Sequence, residues 1–311
     1  MRVFRRFSKM GWVLCLSLVF VLFVVQGVSA QGKGSSDPIE LTFAVLPQEL
    51  SAMTAEMYQP LINHIAEVTG KKVAFYMTTS YAAEVEAMIG GFVDIARLGP
   101  TSYVIGHDRD PNIEVFAVHT TPAGVVQKGG AGYHGCLITK TGSGLTSIEK
   151  LRGVTLALTD PASTSGYLLP KVFFPDAELG GEPLEEYFGK IIWTGKHDAA
   201  MLAVYEERAD AAFTNGANME RAITAGLVKK EWYNFLWWSE VIPRDPWVMR
   251  KNLKPELKEK IKEAIFSFKS GEVEDADKFW EAAKAIKFIE TDDSTYDTVR
   301  KLYEAKQKMK K

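Results

Sequence analysis

Asp160-Pro161-Ala162-Ser163-Thr164-Ser165-Gly166-Tyr167-Leu168 sets three consecutive hydroxyl side chains between a β-rich run, Val154 to Leu158, and an apolar segment spaced like a helix. The first turn of a helix carries backbone N–H groups with no partner inside the helix. Hydroxyls beside them add donors, so such a turn is an anion cradle that needs no net positive charge. Capping alone uses one hydroxyl, and three in a row after Asp-Pro exceed that need. The stretch reads as a strand-to-helix turn built around an oxyanion.

The segments on either side repeat the strand-to-helix logic. Upstream, Ile39 to Leu46 reads as a buried strand. Met57, Leu61, Ile65 and Val68 share one face of a helix over Met53 to Val68, ended by Gly70. Lys72 to Met77 is the next strand. Ser80 caps a helix through Met88, Phe92 to Leu98 is a third strand, and Gly99-Pro100-Thr101-Ser102 opens another helix. This β-α-β-α order predicts a parallel sheet with flanking helices. Glu114 to His119 and Tyr133 to Thr139 are extended, joined by a Gly-rich turn, and Ser147 caps a helix through Arg152. Beyond the hydroxyl cluster come a strand at Lys190 to Trp193, a helix at Ala199 to Glu207 and a strand at Asp210 to Thr214. Leu236 to Ile242 is extended again, and from Lys254 onward the pattern is mostly amphipathic helix.

The first thirty residues read as an export signal. Arg2, Arg5, Arg6 and Lys9 precede an apolar run from Trp12 to Val25, and Val28-Ser29-Ala30 offers a small-residue cleavage site. The run is shorter than the roughly 20 residues of a spanning helix. Cleavage near Ala30 removes four cations and no acidic residue, taking the net charge from −2 to −6. That excludes a basic nucleic-acid footprint. Cys136 is then the only cysteine, so no internal disulfide is expected. No H-E-x-x-H or C-x-x-C spacing suggests a metal, no cofactor is expected, and the serines lack a G-x-S-x-G elbow. A Ser163/Ser165–His197–Asp210 hydrolase is the remote alternative, and no catalytic residue is assigned.

Several short motifs in order carry a family resemblance. They are Tyr81-Ala82-Ala83-Glu84, Val93-Asp94-Ile95-Ala96, Gly99-Pro100-Thr101-Ser102-Tyr103, Gly132-Tyr133, Asp160 to Gly166, Gly195-Lys196-His197 and Ile242-Pro243-Arg244-Asp245-Pro246. With them the chain, from about Leu41 to about Phe268, resembles the PhnD-like periplasmic phosphate/phosphite/phosphonate-binding components of ABC transporters. The resemblance implies an α/β, two-lobed type II periplasmic binding protein fold, with a cleft between lobes joined by two hinge strands. The expected division is a signal peptide at 1–30, a first lobe at 31–131, a second at 132–237 and a return to the first at 238–311. The implied ligand contacts are Ser163, Thr164, Ser165 and His197 as donors on one side, Tyr81 and Asp245 on the other, and Tyr133 by the hinge.

Two residues bear on ligand choice. A carboxylate such as Asp245 favours an anion only if that anion still carries a proton to donate, which selects protonated phosphorus oxyanions over sulfate. Relatives that bind aminoalkylphosphonates place a second carboxylate where this chain has Ala217, and Glu220 lies too far along its helix to replace it. A small ligand follows: phosphite, phosphate or a simple alkylphosphonate. The expected protein is a periplasmic monomer that passes this oxyanion to an ABC permease. The alternative is an arsenite/arsenate or phosphate-analogue sensor feeding a kinase, which would enlist Cys136, although strand alternation from Tyr133 points that thiol away. Arg97 is left between a pairing with Glu84 and a contact to ligand.

Overall fold

The computed structural model describes residues 36–46, 51–176 and 179–309. The export segment expected at 1–30 lies outside them. The chain begins β1 (Glu40–Val45), α1 (Ser51–Thr69), β2 (Lys72–Met77), α2 (Tyr81–Ile89), β3 (Ile95–Arg97), α3 (Pro100–Arg109) and β4 (Ile113–Thr120). Next come β5 (Gly132–Lys140) and β6 (Thr155–Leu158), then a π-helical turn (Thr164–Leu168) running directly into α4 (Leu169–Phe173). They are followed by α5 (Leu184–Tyr187), β7 (Lys190–Trp193), α6 (His197–Tyr205), β8 (Ala211–Asn215), α7 (Gly216–Thr224) and β9 (Tyr233–Pro243). The last elements are β10 (Trp247–Arg250), α8 (Pro255–Ser267), α9 (Ala276–Ala283), β11 (Lys287–Glu290) and α10 (Asp297–Met309). No helix among the described residues is long and apolar enough to cross a membrane.

Two sheets result, in the orders β11-β4-β10-β3-β1-β2 and β7-β6-β8-β5-β9. Strands covered on both faces need continuous apolar runs. Leu41, Phe43, Ala44 and Val45 of β1 are all buried, and Phe43 stacks on Trp247 of β10 at 5.5 Å between ring centres. The parallel expectation holds for β2-β1-β3. It fails for the sheet as a whole, because β10 returns from the second sheet and lies antiparallel between β3 and β4. The second sheet mixes in the same way: β6 is parallel to β7 and β8, while β5 is antiparallel to β8 and β9.

Other differences are local. The helix expected at Ser147 to Arg152 is only a 3₁₀ turn, Glu149–Leu151, since so few residues cannot repay helix nucleation. The third strand shrinks from Phe92–Leu98 to Ile95–Arg97, because Asp94 uses its carboxylate on the Thr42 N–H and the Arg250 guanidinium, and Phe92 is exposed.

The chain passes between the sheets twice, through 121–131 and through 244–246. These crossings lie side by side. Thr121 and Gly130 exchange backbone hydrogen bonds, and the Arg244 N–H donates to Ala131 O at 3.2 Å.

Candidate anion-binding site

Parallel strands deliver the helices that follow them to one edge of the sheet, N-termini first. Here β2 leads to Tyr81, the first residue of α2, and β3 to Gly99 and Pro100 at the start of α3. From the other sheet, β6 leads to Ser163 and the π turn, β7 to His197 at the start of α6, and β8 to Asn215, the N-cap of α7. Residues from all five starts line one cavity of about 20 Å³. Leu46, Arg97, Tyr133, Thr164, Ala217, Asn218, Arg221, Arg244 and Asp245 complete it. Five positive helix ends thus point at one small space.

The hydroxyl cluster is held tightly. Ser163 Oγ accepts from the Gly166 N–H at 3.1 Å as an N-cap, and a Cβ at Gly166 would sit 2.2 Å from Thr159 Oγ1. Only glycine lets the turn close there. Thr164 Oγ1 accepts from the Thr101 N–H at 2.9 Å and lies 2.8 Å from Thr101 Oγ1, joining α3 of the first sheet to the second. Six of the seven residues expected at the site line the cavity. Ser165 does not: it sits behind the wall, where its hydroxyl accepts from Asn215 Nδ2 at 2.9 Å.

His197 is buried, with Nδ1 3.1 Å from Thr214 Oγ1 and Nε2 3.4 Å from Ser163 Oγ. Burial pushes its pKa down to about 3, so the ring is neutral and offers one N–H and one lone pair. The Tyr81 hydroxyl lies beside Ser163 and makes no well-formed hydrogen bond. The Tyr133 hydroxyl lies beside Thr164 and Ser165, and burial raises the pKa of both tyrosines. All these groups are neutral at physiological pH.

The charge balance corrects the expectation of a site without positive charge. Arg97, Arg221 and Arg244 line the cavity together with Asp245. Arg97 pairs with Asp245 at 2.8 Å and donates to the Tyr58 hydroxyl at 2.7 Å. Glu84, the partner considered for Arg97, has no hydrogen bond to either carboxylate oxygen, and burial drives its pKa well up. Arg221 meets the Asn218 side chain. It lies four residues past Ala217, one helical turn along, a spacing that was readable in the sequence. Arg244 stands beside Asp245 in a motif already singled out and could have been found there. The convergence of Arg97 with them depends on the fold. Glu220 does not line the cavity and accepts from the Val126 N–H at 2.9 Å. Cys136 lies in the apolar core with Ile138, Ala157 and Met201, and burial raises its thiol pKa.

Comparison with known proteins matches residues 43–296 to the family described as ABC transporter, phosphonate, periplasmic substrate-binding protein. The chain is 30% identical over 233 residues to the phosphate-import protein PhnD of Mycolicibacterium smegmatis, covering 72% of this chain and 70% of that one. It is 28% identical over 233 residues to the phosphonates-binding periplasmic protein of Escherichia coli, covering 73% and 66%. Among solved structures it resembles a binding protein component of an ABC phosphonate transporter from Pseudomonas aeruginosa, with a TM-score of 0.77 at 28% identity over 87% of each chain. PhnD1 of Prochlorococcus marinus, solved with methylphosphonate, shares the fold with a TM-score of 0.76 at 18% identity, over 86% of this chain and 98% of that one. The architecture is the two-lobed type II periplasmic binding fold. With its sheets, its double crossing and this match over most of its length, the chain belongs to the periplasmic substrate-binding protein family of phosphonate ABC transporters.

Proposed function

We propose that this protein captures one small tetrahedral phosphorus oxyanion (phosphite, phosphate or methylphosphonate) and delivers it to an ABC permease. The observation that carries the reading is the convergence of five helix starts and three arginines on a cavity of about 20 Å³. The cavity is small and lined mostly by polar side chains, which favours a compact anion over one with a long substituent. Ser163, Thr164, His197 and Tyr81 supply neutral donors, Arg244 supplies charge, and Tyr133 walls the cavity. Ser165 acts from behind through Asn215. Asp245, oriented by Arg97, accepts the proton of a P–OH group, which sulfate lacks at neutral pH.

Aminoethylphosphonate fits poorly. Ala217 and Arg221 occupy the end where an amine would need an acid, and Glu220 is engaged elsewhere. The sensor reading loses its chemical support with Cys136 in the core.

The lobes of this proposal are 31–131 with the C-terminal return, and the segment from 132. The second boundary moves from 237 to the crossing at 244–246, since β9 runs on to Pro243. Opening about the two crossings would separate Thr101 from Thr164 and admit ligand. Calorimetry against phosphite, phosphate, methylphosphonate, aminoethylphosphonate, arsenate and sulfate tests the reading. Tight binding of one of the first three, with aminoethylphosphonate and sulfate far weaker, is the expected result. Preference for the aminophosphonate, or no binding of any phosphorus oxyanion, overturns it.

A further inference from the structure

Arg244 is 3% exposed, lines the cavity, and pairs with no carboxylate among the described residues. Its Nη2 donates instead to His119 Nε2 at 2.9 Å. The contrast within this chain is direct: the buried Arg250 is paired with Asp94, and Arg97 with Asp245. Arg244 is also fixed through its backbone. Its N–H donates to Ala131 O, its carbonyl accepts from the Tyr296 hydroxyl at 2.9 Å, and its guanidinium faces the Tyr133 ring at 5.9 Å.

His119, on β4 just before the first crossing, is 1% exposed. Since its Nε2 accepts from the guanidinium, the ring proton sits on Nδ1, and Nδ1 is buried without a partner. An unsatisfied buried N–H is a cost to the fold. What the fold obtains in exchange is an acceptor without charge. A carboxylate at 119 would hold the guanidinium equally well and cancel its charge.

We propose that His119 is a positioning residue that fixes Arg244 while leaving its charge uncancelled, and that this pair makes the site prefer a doubly charged oxyanion over a singly charged one. The inference rests on the proposed capture of a phosphorus oxyanion. Taken with Asp245, which asks for a P–OH, it points to a dianion that keeps one hydroxyl, of which hydrogen phosphate is the simplest. The charged and titratable groups around Arg244 are Arg97 on β3, Arg221 on α7, Asp245 and Tyr133, with His197 on α6 and Glu84 on α2 nearby. Burial and the neighbouring guanidinium groups hold His119 well below its ordinary pKa, and burial holds His197 low. On either side of phosphate's second ionisation, both rings stay neutral while the ligand itself titrates.

The test is calorimetry of the purified chain with inorganic phosphate, whose dianion keeps a hydroxyl, below and above its second ionisation. Wild type is expected to bind the dianion at least about tenfold tighter than the monoanion, the scale of one charge-assisted contact. His119→Asp should reduce that ratio to within about threefold of unity, and His119→Gln, a neutral acceptor, should restore it. A purely structural role would lower both affinities alike and keep the ratio. Arg244→Gln should collapse the ratio too, which decides the matter if His119→Asp does not fold. A wild-type ratio in His119→Asp or Arg244→Gln, or no dianion preference in wild type, overturns the inference and leaves the capture reading standing. Failure of wild type to bind phosphate, phosphite or methylphosphonate removes both.

Discussion

Asp245→Asn separates a carboxylate that reads a ligand proton from one that only holds Arg97. In the native protein the Asp245 side chain is 13% exposed and meets Arg97 Nη2 at 2.8 Å. A bound P–OH donating to a carboxylate contributes about 1.5–3 kcal/mol, against about 0.5–1.5 for the same bond to a neutral amide. Relative to sulfate, phosphate therefore loses roughly 1–1.5 kcal/mol, about tenfold in Kd. Sulfate has no proton to give and meets bare like charge. Two unit charges 4 Å apart repel by about 4 kcal/mol at an effective dielectric of about 20. Phosphate is an anion as well, so removing the charge relieves this repulsion for both ligands and the term cancels from their ratio. What remains is the lost hydrogen bond, so the phosphate-to-sulfate preference falls roughly tenfold. Calorimetry of both anions on both proteins measures this, with thermal melting to confirm the fold. A selectivity within about threefold of wild type, in a variant that melts normally, refutes the proton-reading role.

Three further outcomes follow from buried groups. Gly166→Ala drives a Cβ into Thr159 and Ser163. Overpacking and the disturbed cap together cost about 2–4 kcal/mol, and a melting temperature within a degree or so of wild type would contradict the packing argument. His197 has its folded pKa lowered to about 3. The unfolded chain takes up a proton below its ordinary pKa of about 6.5 and the folded chain does not, so stability is lost as pH falls from there. His197→Gln should flatten the denaturation profile between about pH 6 and pH 5 by about 1.4 kcal/mol per pH unit, and an unchanged slope would place the proton elsewhere. Glu84 has the opposite sign: its folded pKa is raised, so stability is full below about pH 4.5 and declines as pH rises. Glu84→Gln should raise the melting temperature at pH 8 more than at pH 5, and equal gains at both would show that the carboxyl's ionisation is not what costs stability.

The strand–helix alternation was readable because its apolar spacing is local. Ser80 caps α2 and Pro100 opens α3 as expected, since both are decided within a few residues. β10 was not readable. Trp247–Arg250 is four residues long, follows Asp245-Pro246, and becomes a strand only because β3 and β4 leave a slot between them. Ser163 and Thr164 stood out locally as hydroxyls at a strand-to-helix turn, whereas His197 was carried by the family resemblance. Arg221, one helical turn past Ala217, and Arg244, beside Asp245, left a local trace, but their meeting with Arg97 from a strand end shows nowhere in the linear chain. The net negative charge of the sequence pointed away from them. Charge summed over a surface says little about a cavity of a few atoms' width.

The enclosure of those charges has a kinetic consequence. Ions in the medium weaken fields across exposed surface within about 8 Å at physiological ionic strength, but they cannot interleave between buried groups. Added salt therefore leaves the residence time of a captured anion nearly unchanged. It acts on arrival, where it masks the repulsion between a negative protein and a negative solute and quickens encounter. On the proposed capture, salinity sets how often this protein meets its solute, and the sealed arginines and helix ends set how long it keeps it.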